Sequence, residues 1–394
     1  MTHPSNQYTT VADLAPQEAA LTAIRRHLHQ HPELSFEEEK TAAFIADKLE
    51  AWGYEVTRNV GGHGVVGVLR QGEGGRAVAI RADIDALPIP ESTGLPHAST
   101  VPGVMHACGH DGHTTVLLGA AEHLARTRRF NGTVTLVFQP AEEAGLVSGA
   151  QRMIADGLFE RFPCDAIFGL HNHPGVPVGT ILTRPGPMMA AGDTVHIRVK
   201  GKGGHAARPH QSVDPIVTAA AIVMALQTVV ARSIDPLEPA VVTVGTIHGG
   251  TATNVIPDTA ELGLSVRSFT PQTRQRLEER VRAIATNVAA AQGASVEISW
   301  EHGYPVVMNS DAETAFAEEV ARELVGADHV GTCPMLTGSE DFAYYLQHKP
   351  GSFLRLGNGD SAMLHNPGYD FADASLTTGA ALWARLAERF LARV

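Results

Sequence analysis

Thr133-Val134-Thr135-Leu136-Val137-Phe138-Gln139-Pro140-Ala141-Glu142-Glu143 decides how the chain is read. The run from Thr133 to Phe138 is rich in β-branched and aromatic side chains and is closed by Pro140, so it reads as a strand. That strand delivers two adjacent acids at its carboxyl end. Similar short runs stand at Gly64 to Leu69, Ala77 to Ala82 and Ala166 to Leu170. Around them, apolar residues at helical spacing mark Glu18 to Gln30, Phe36 to Trp52, Thr114 to Arg126 and Gly149 to Asp156. Strands alternating with helices predict an α/β sheet covered on both faces. Acidic and imidazole side chains fall just past these strands: Asp83 and Asp85, Glu142 and Glu143, His171 and His173. Open α/β sheets bind ligands outside the carboxyl ends of their strands, so this clustering is what a working site predicts.

A second unit is expected as an insert over residues 189–301. It reads as a strand (Thr194 to Lys200), a helix (Pro215 to Val230), two strands (Ala240 to His248 and Thr259 to Val266), a helix (Pro271 to Ala291) and a last strand (Ser295 to Trp300). That βαββαβ order is the ferredoxin-like pattern. Residues 1–188 and 302–394 would then form one catalytic domain, closing with helices at Ala312 to Leu324 and Leu376 to Arg393. Ile216 to Val230 reads as a helix buried on most of its circumference. A two-helix, four-strand insert covers only one sheet face, so pairing with a second copy is expected.

Size and charge bound the function. A chain of 394 residues suits two domains of roughly 100–200 residues each. A formal charge of −12 with no basic stripe argues against a nucleic-acid partner. Cys108, Cys164 and Cys333 are odd in number and widely spaced, which argues against a disulfide framework and for a reducing cytoplasm. Met1 to Gln17 lacks the apolar core of a signal peptide. Ile216 to Val230 is too short, and too interrupted by Thr218, Gln227 and Thr228, to span a bilayer. No membrane partner is expected.

The densest chemistry lies in His106-Ala107-Cys108-Gly109-His110-Asp111-Gly112-His113. Cys108 and His110 are two apart, so on an extended segment they project to one side. Thiolate and imidazole together suit a borderline-soft divalent ion such as zinc. Four separated segments offer such groups: Cys108 with His110, the Glu142-Glu143 pair, His171 and His365. Together they predict a dinuclear centre, in which metals about 3.5–4 Å apart clamp a bridging water. A thiolate has the lone pairs to bridge both. On an extended segment Glu142 and Glu143 point in opposite directions, so one would bind metal while the other takes a proton from the nucleophile. Asp83 and Asp85 share a face; they either orient ligand histidines or pair with Arg81 or Arg26.

The insert adds Gly201-Lys202-Gly203-Gly204-His205-Ala206-Ala207-Arg208-Pro209-His210, a glycine-rich loop without P-loop spacing. His205 could stabilise an oxyanion if the insert closes over the metals. Asn254 and Arg267 could grip a substrate carboxylate, Arg267 through its bidentate fork.

With these residues assembled, the chain resembles the M20 peptidase family, and within it the branch of hippurate hydrolases, N-acyl-amino-acid amidohydrolases and auxin-conjugate hydrolases. The resemblance runs from Arg26-His27-Leu28-His29-Gln30-His31-Pro32-Glu33 to Leu364-His365-Asn366-Pro367. It includes His-Ala-Cys-Gly-His-Asp, Gln-Pro-Ala-Glu-Glu, Gly-Lys-Gly-Gly-His-Ala-Ala and Thr-Gly-Ser-Glu-Asp-Phe. The resemblance implies a zinc-peptidase-like catalytic domain with a lid and dimerisation insert. It implies metal ligands Cys108, His110, Glu143, His171 and His365, with Cys108 bridging, and Glu142 as general base and proton shuttle. His205 would reach a partner subunit's site in a homodimer or homotetramer, and Asn254 and Arg267 would hold the substrate carboxylate. Where most other members have His and Asp, this chain has Asp83 and Cys108; the swap marks the amidohydrolase branch and leaves manganese, zinc, nickel and cobalt open as the pair of divalent metal ions. The activity implied is hydrolysis of N-acyl-L-amino acids. The competing expectation is a dinuclear dipeptidase acting on a free α-amine.

Overall fold

The Gly132–Gln139 strand lies inside an eight-stranded mixed sheet. The structure is a computed structural model and describes residues 8–392. Across the sheet the strands run Glu55–Val60, Gly64–Gln71, Gly132–Gln139, Ala77–Asp83, Ala166–His173, Gly351–Gly357, Ile181–Thr183 and Val330–Thr332. The four central strands are mutually parallel, and the first two form an antiparallel edge. Central strands are buried almost throughout, as parallel strands under helices on both faces must be.

The helices that set the site are His110–Thr127, Glu18–Gln30 and Leu376–Phe390, which pack on one another. The first begins at His110 rather than Thr114, so the histidine-rich stretch is itself the helix start. Gly112 lets it close on the Phe371 ring, which a Cβ there would meet at 2.2 Å. Ala166–His173 runs beyond the expected Leu170, so His171 and His173 lie within the strand rather than after it. The added length comes from parallel pairing with Gly351–Gly357, whose Arg355 and Gly357 stand opposite His171 and His173.

The chain divides into two compact units. One runs to Gly186 and takes in Met308–Pro334 and the chain from Asp341; the other comprises Pro187–Val307 and Met335–Glu340. The second holds a four-stranded antiparallel sheet in the order Ala240–Gly249, Thr259–Ser268, Ala191–Lys200, Ser295–His302. That order and the two helices packed on the sheet make it ferredoxin-like. Asp214 caps its first helix, accepting from the Ile216 and Val217 amides, and Thr270 caps the second at the Thr273 amide.

The first of these helices departs from expectation. It breaks at Gln227 into Pro215–Leu226 and Thr228–Ser233. Only one stripe, including Thr218, Ala219, Ile222 and Leu226, is buried, while Ile216, Val217 and Met224 are 40%, 57% and 71% exposed. Among the described residues of its own unit, the sheet and the Pro271–Ala291 helix pack against it.

Candidate metal centre

The first unit brings six of the sequence-selected residues together. Ligand atoms of Cys108, His110 and His171 lie within 4.8 Å of one another, and so do those of Cys108, Glu143 and His365. Cys108 belongs to both groups. Glu142 joins through a third group with His110 and Glu143. The sulfur of Cys108 is 3.2 Å from His171 Nε2, and Glu143 Oε1 is 3.1 Å from His365 Nε2. All but Glu143 and His365 are buried, so the cluster opens to solvent at His365.

Local backbone explains the arrangement. Cys108 and His110 are not on an extended segment: Gly109 between them is left-handed, at φ +88°, and caps the helix that starts at His110. A Cβ on Gly109 would stand 2.3 Å from Asn172 Nδ2 and 2.5 Å from Tyr369 Oη. Asn172 Nδ2 instead donates to the Cys108 carbonyl at 2.6 Å, and Tyr369 Oη donates to Asn172 Oδ1 at 2.8 Å. Glu142 and Glu143 likewise sit in a short 3₁₀ turn, Glu142–Ala144, entered through left-handed Ala141. His365, also left-handed at φ 64°, donates its amide to the Ala107 carbonyl at 2.8 Å. One hydrogen bond thus fastens the most distant candidate ligand beside Cys108.

The imidazoles are oriented from behind. His110 Nδ1 faces the Asp85 carbonyl at 2.9 Å and its carboxylate at 3.1 Å, which leaves Nε2 buried without a hydrogen-bond partner. His171 Nδ1–H donates to the Asn172 carbonyl at 2.8 Å, turning Nε2 towards Cys108. Carboxylate or carbonyl acceptors behind a ligand histidine are the usual way its tautomer is fixed. His113 is different: Nδ1–H donates to Asp83 at 2.6 Å and Nε2 accepts the Asn172 amide at 2.9 Å, so it is a strut. Asp83 also pairs with buried Arg81 at 2.7 Å, while Asp85 accepts from Ser35 Oγ at 2.7 Å and the Glu143 amide at 3.0 Å. Asp85 thus orients the candidate ligand His110, whereas Asp83 orients the strut His113 and pairs with Arg81; Arg26 pairs instead with Asp373.

The electrostatics call for cations. Burial raises the Cys108 thiol well above its ordinary range, and Glu143, Glu142 and Asp83 push it further. Burial alone would lower the His110 pKa, but Asp83, Asp85 and Glu143 overcome it and carry the pKa to about 10. Burial, with His113 and Arg355, holds His171 well below its ordinary range and so neutral. Divalent ions invert this logic: they deprotonate a coordinating thiol and replace the proton on an imidazole. An orphaned Nε2, a thiol among acids and a mixed S, N and O donor set fit two such ions.

His205, Asn254 and Arg267 lie in the second unit. His205 is exposed, in a two-residue strand opposite Val255, and the Ala206 amide donates to the Asn254 carbonyl at 3.1 Å, so His205 and Asn254 neighbour each other. Arg267 sits on the Thr259–Ser268 strand opposite Gly192.

Residues 79–389 match the profile of peptidase family M20/M25/M40. The chain belongs to this family. A hippurate hydrolase of Campylobacter jejuni is 42% identical over 385 residues, covering 97% of this chain and 99% of that protein. An N-acetyl-L-cysteine deacetylase of Bacillus subtilis is 42% identical over 380 residues, covering 96% and 90%. Among solved structures, the Bacillus subtilis YXEP protein, described as a dinuclear metal binding peptidase of the M20 family, superposes with a TM-score of 0.84 at 38% identity, covering 96% of this chain and 99% of that one. Within this M20 chain, Ser35, Glu38, Asn172 and Tyr369 support the site without having been selected from sequence. Asn172 stands between two histidines, and Glu38 falls in the stretch from Phe36 to Trp52 that reads as a helix, just ahead of the observed Glu39–Ala51.

Proposed function

We propose that the protein hydrolyses the amide bond of N-acyl-L-amino acids, releasing a carboxylic acid and a free amino acid. The observation that carries this reading is the pair of three-residue groups sharing Cys108, with Glu142 beside them. Cys108, His110 and His171 would hold one divalent ion, and Cys108, Glu143 and His365 the other. Bound there, such ions would supply Lewis-acid chemistry, lowering the pKa of a bound water and polarising the scissile carbonyl. Glu142, buried and adjacent, takes the proton from the nucleophile and returns it to the leaving amine. Asn254 and Arg267 hold the substrate carboxylate, and His205 stabilises the oxyanion.

The relatives' names favour hippurate-like and N-acetyl substrates. Manganese, zinc, nickel or cobalt would suit the donor set. Three free, buried cysteines favour a cytoplasmic location. Among the described residues no helix is long and apolar enough to cross a membrane. A homodimer through the second unit is favoured by the exposed Ile216, Val217 and Met224 and by the edge strand Ala240–Gly249.

The test is amino-acid release from benzoyl-, acetyl- and indole-acetyl-amino acids after metal removal and reloading with each of the four metals, beside Glu142→Ala. Release restored by metal, with a kcat lower by about 10²-fold or more in Glu142→Ala at full metal content, is expected. Cleavage of a free dipeptide alone would favour the dipeptidase. Near-wild-type turnover by metal-loaded Glu142→Ala would remove Glu142 from the mechanism.

A further inference from the structure

Phe36 and Ala141 are non-glycine residues with left-handed backbone, at φ 65° and 51°. They are far apart in sequence yet share one acceptor. Glu38 Oε1 accepts the Phe36 amide at 2.9 Å and the Ala141 amide at 2.8 Å. Glu38 is fully buried. Left-handed alanine persists only where its surroundings over-determine it, and such strain gathers at working sites. Ala141 immediately precedes Glu142, so its φ sets the direction in which that side chain leaves the strand end.

The same short segment reaches the other acid. Leu34 bridges Ala86, and Ser35 Oγ donates to Asp85 Oδ2, the oxygen that also accepts the Glu143 amide. Arg152 lies 3.6 Å over the Phe36 ring and steadies the segment from outside. Residues 34–38 therefore grip the Glu142-Glu143 turn at the amide before it and, through Asp85, at the amide of Glu143.

We propose that Glu38 is a positioning residue for Glu142: by holding the Ala141 amide it fixes the left-handed turn that aims the proton-carrying carboxylate, while Ser35 and Asp85 fix Glu143 beside it. This rests on the reading of Glu142 given above. The role needs an acceptor rather than a charge. Burial, with Asp85 nearby, holds the Glu38 carboxyl up to about 7, so a glutamine oxygen should serve.

The experiment compares Glu38→Ala, Glu38→Gln and Glu38→Ala/Ala141→Gly with wild type and Glu142→Ala, all metal-loaded. Turnover of an N-acyl amino acid, metal content and amide hydrogen exchange over residues 139–145 are measured together. Glu38→Ala should lower kcat by about 10- to 100-fold with KM little changed and metal retained, and should speed exchange in that segment. Glu38→Gln should stay within about threefold of wild type, and Ala141→Gly should recover part of the loss, because glycine adopts the turn unaided. Wild-type kcat and exchange in Glu38→Ala would overturn the proposal, as would Glu38→Gln losing as much as Glu38→Ala. If Glu38→Ala does not fold, Glu38→Asp, which withdraws the carboxyl by one methylene, takes its place with the same expected losses. A wild-type protein inert on every N-acyl amino acid would instead defeat the functional reading, and the exchange comparison would still decide whether Glu38 holds the turn.

Discussion

Gly109 shows how much a site can depend on a missing side chain. Its left-handed φ turns Cys108 and His110 towards one another, and the space its Cβ would fill is taken by Asn172 and Tyr369. Gly109→Ala should therefore cost about 1–3 kcal/mol, through strain and through displacing the Asn172 bond to the Cys108 carbonyl. The lower melting temperature should come with faster loss of metal to a chelator; a variant matching wild type in both would contradict the role given to this glycine. At this scale the sequence is informative about chemical type. Thiol, imidazoles and paired acids could be named from it, and the six candidates Cys108, His110, Glu142, Glu143, His171 and His365 are neighbours in space. Geometry was less legible: both pairs were expected on extended backbone, and both sit at left-handed turns. Glu38 was illegible because its partner, the Ala141 amide, lies 103 residues away, and nothing in a local pattern encodes so remote a bond.

Among elements, periodicity located helices and strands well, with Glu18–Gln30 and Pro271–Ala291 ending where expected. It failed on the Pro215–Leu226 helix, because apolar composition does not distinguish a surface covered by the same chain from one left open. Element ends also hide long-range ties. Thr9 joins two helices: its amide and hydroxyl donate to Glu388 at 2.6 and 2.8 Å, and His123 Nε2–H donates to its Oγ1 at 2.8 Å. His123 Nδ1 accepts from Arg126, so the imidazole is held neutral, and burial, with Arg126 and Arg129, lowers its pKa to about 4. The unfolded chain would protonate this histidine near pH 6.5, ahead of the folded one, so the stability it contributes is complete above that pH and drains away towards pH 4. His123→Gln, which cannot titrate, should flatten the fall in melting temperature between pH 6.5 and 4; parallel curves for the two proteins would refute this.

At the scale of the whole molecule, the ferredoxin-like unit presents an apolar helix face and an open sheet edge. If these meet a second copy, Val217→Glu/Met224→Glu should turn a dimer into a monomer in sedimentation, with the unit's own fold intact because neither side chain is in its core. A monomeric wild type would defeat the proposed assembly. The assembly also bears on His205: a monomeric variant that keeps full kcat would place that histidine's action within its own subunit.

The hydrogen bond from His365 to Ala107 has a consequence in time. The inserted unit is built almost wholly from residues 187–307, so a growing polypeptide can finish it early. The Gly351–Gly357 strand, the amide of His365 and the Leu376–Phe390 helix that packs on His110–Thr127 all come from a stretch made long after Cys108 and His110. Until that stretch arrives, Cys108 and His110 belong to a half-built cup. The candidate metal centre of a nascent chain therefore stays incomplete until His365 has been made.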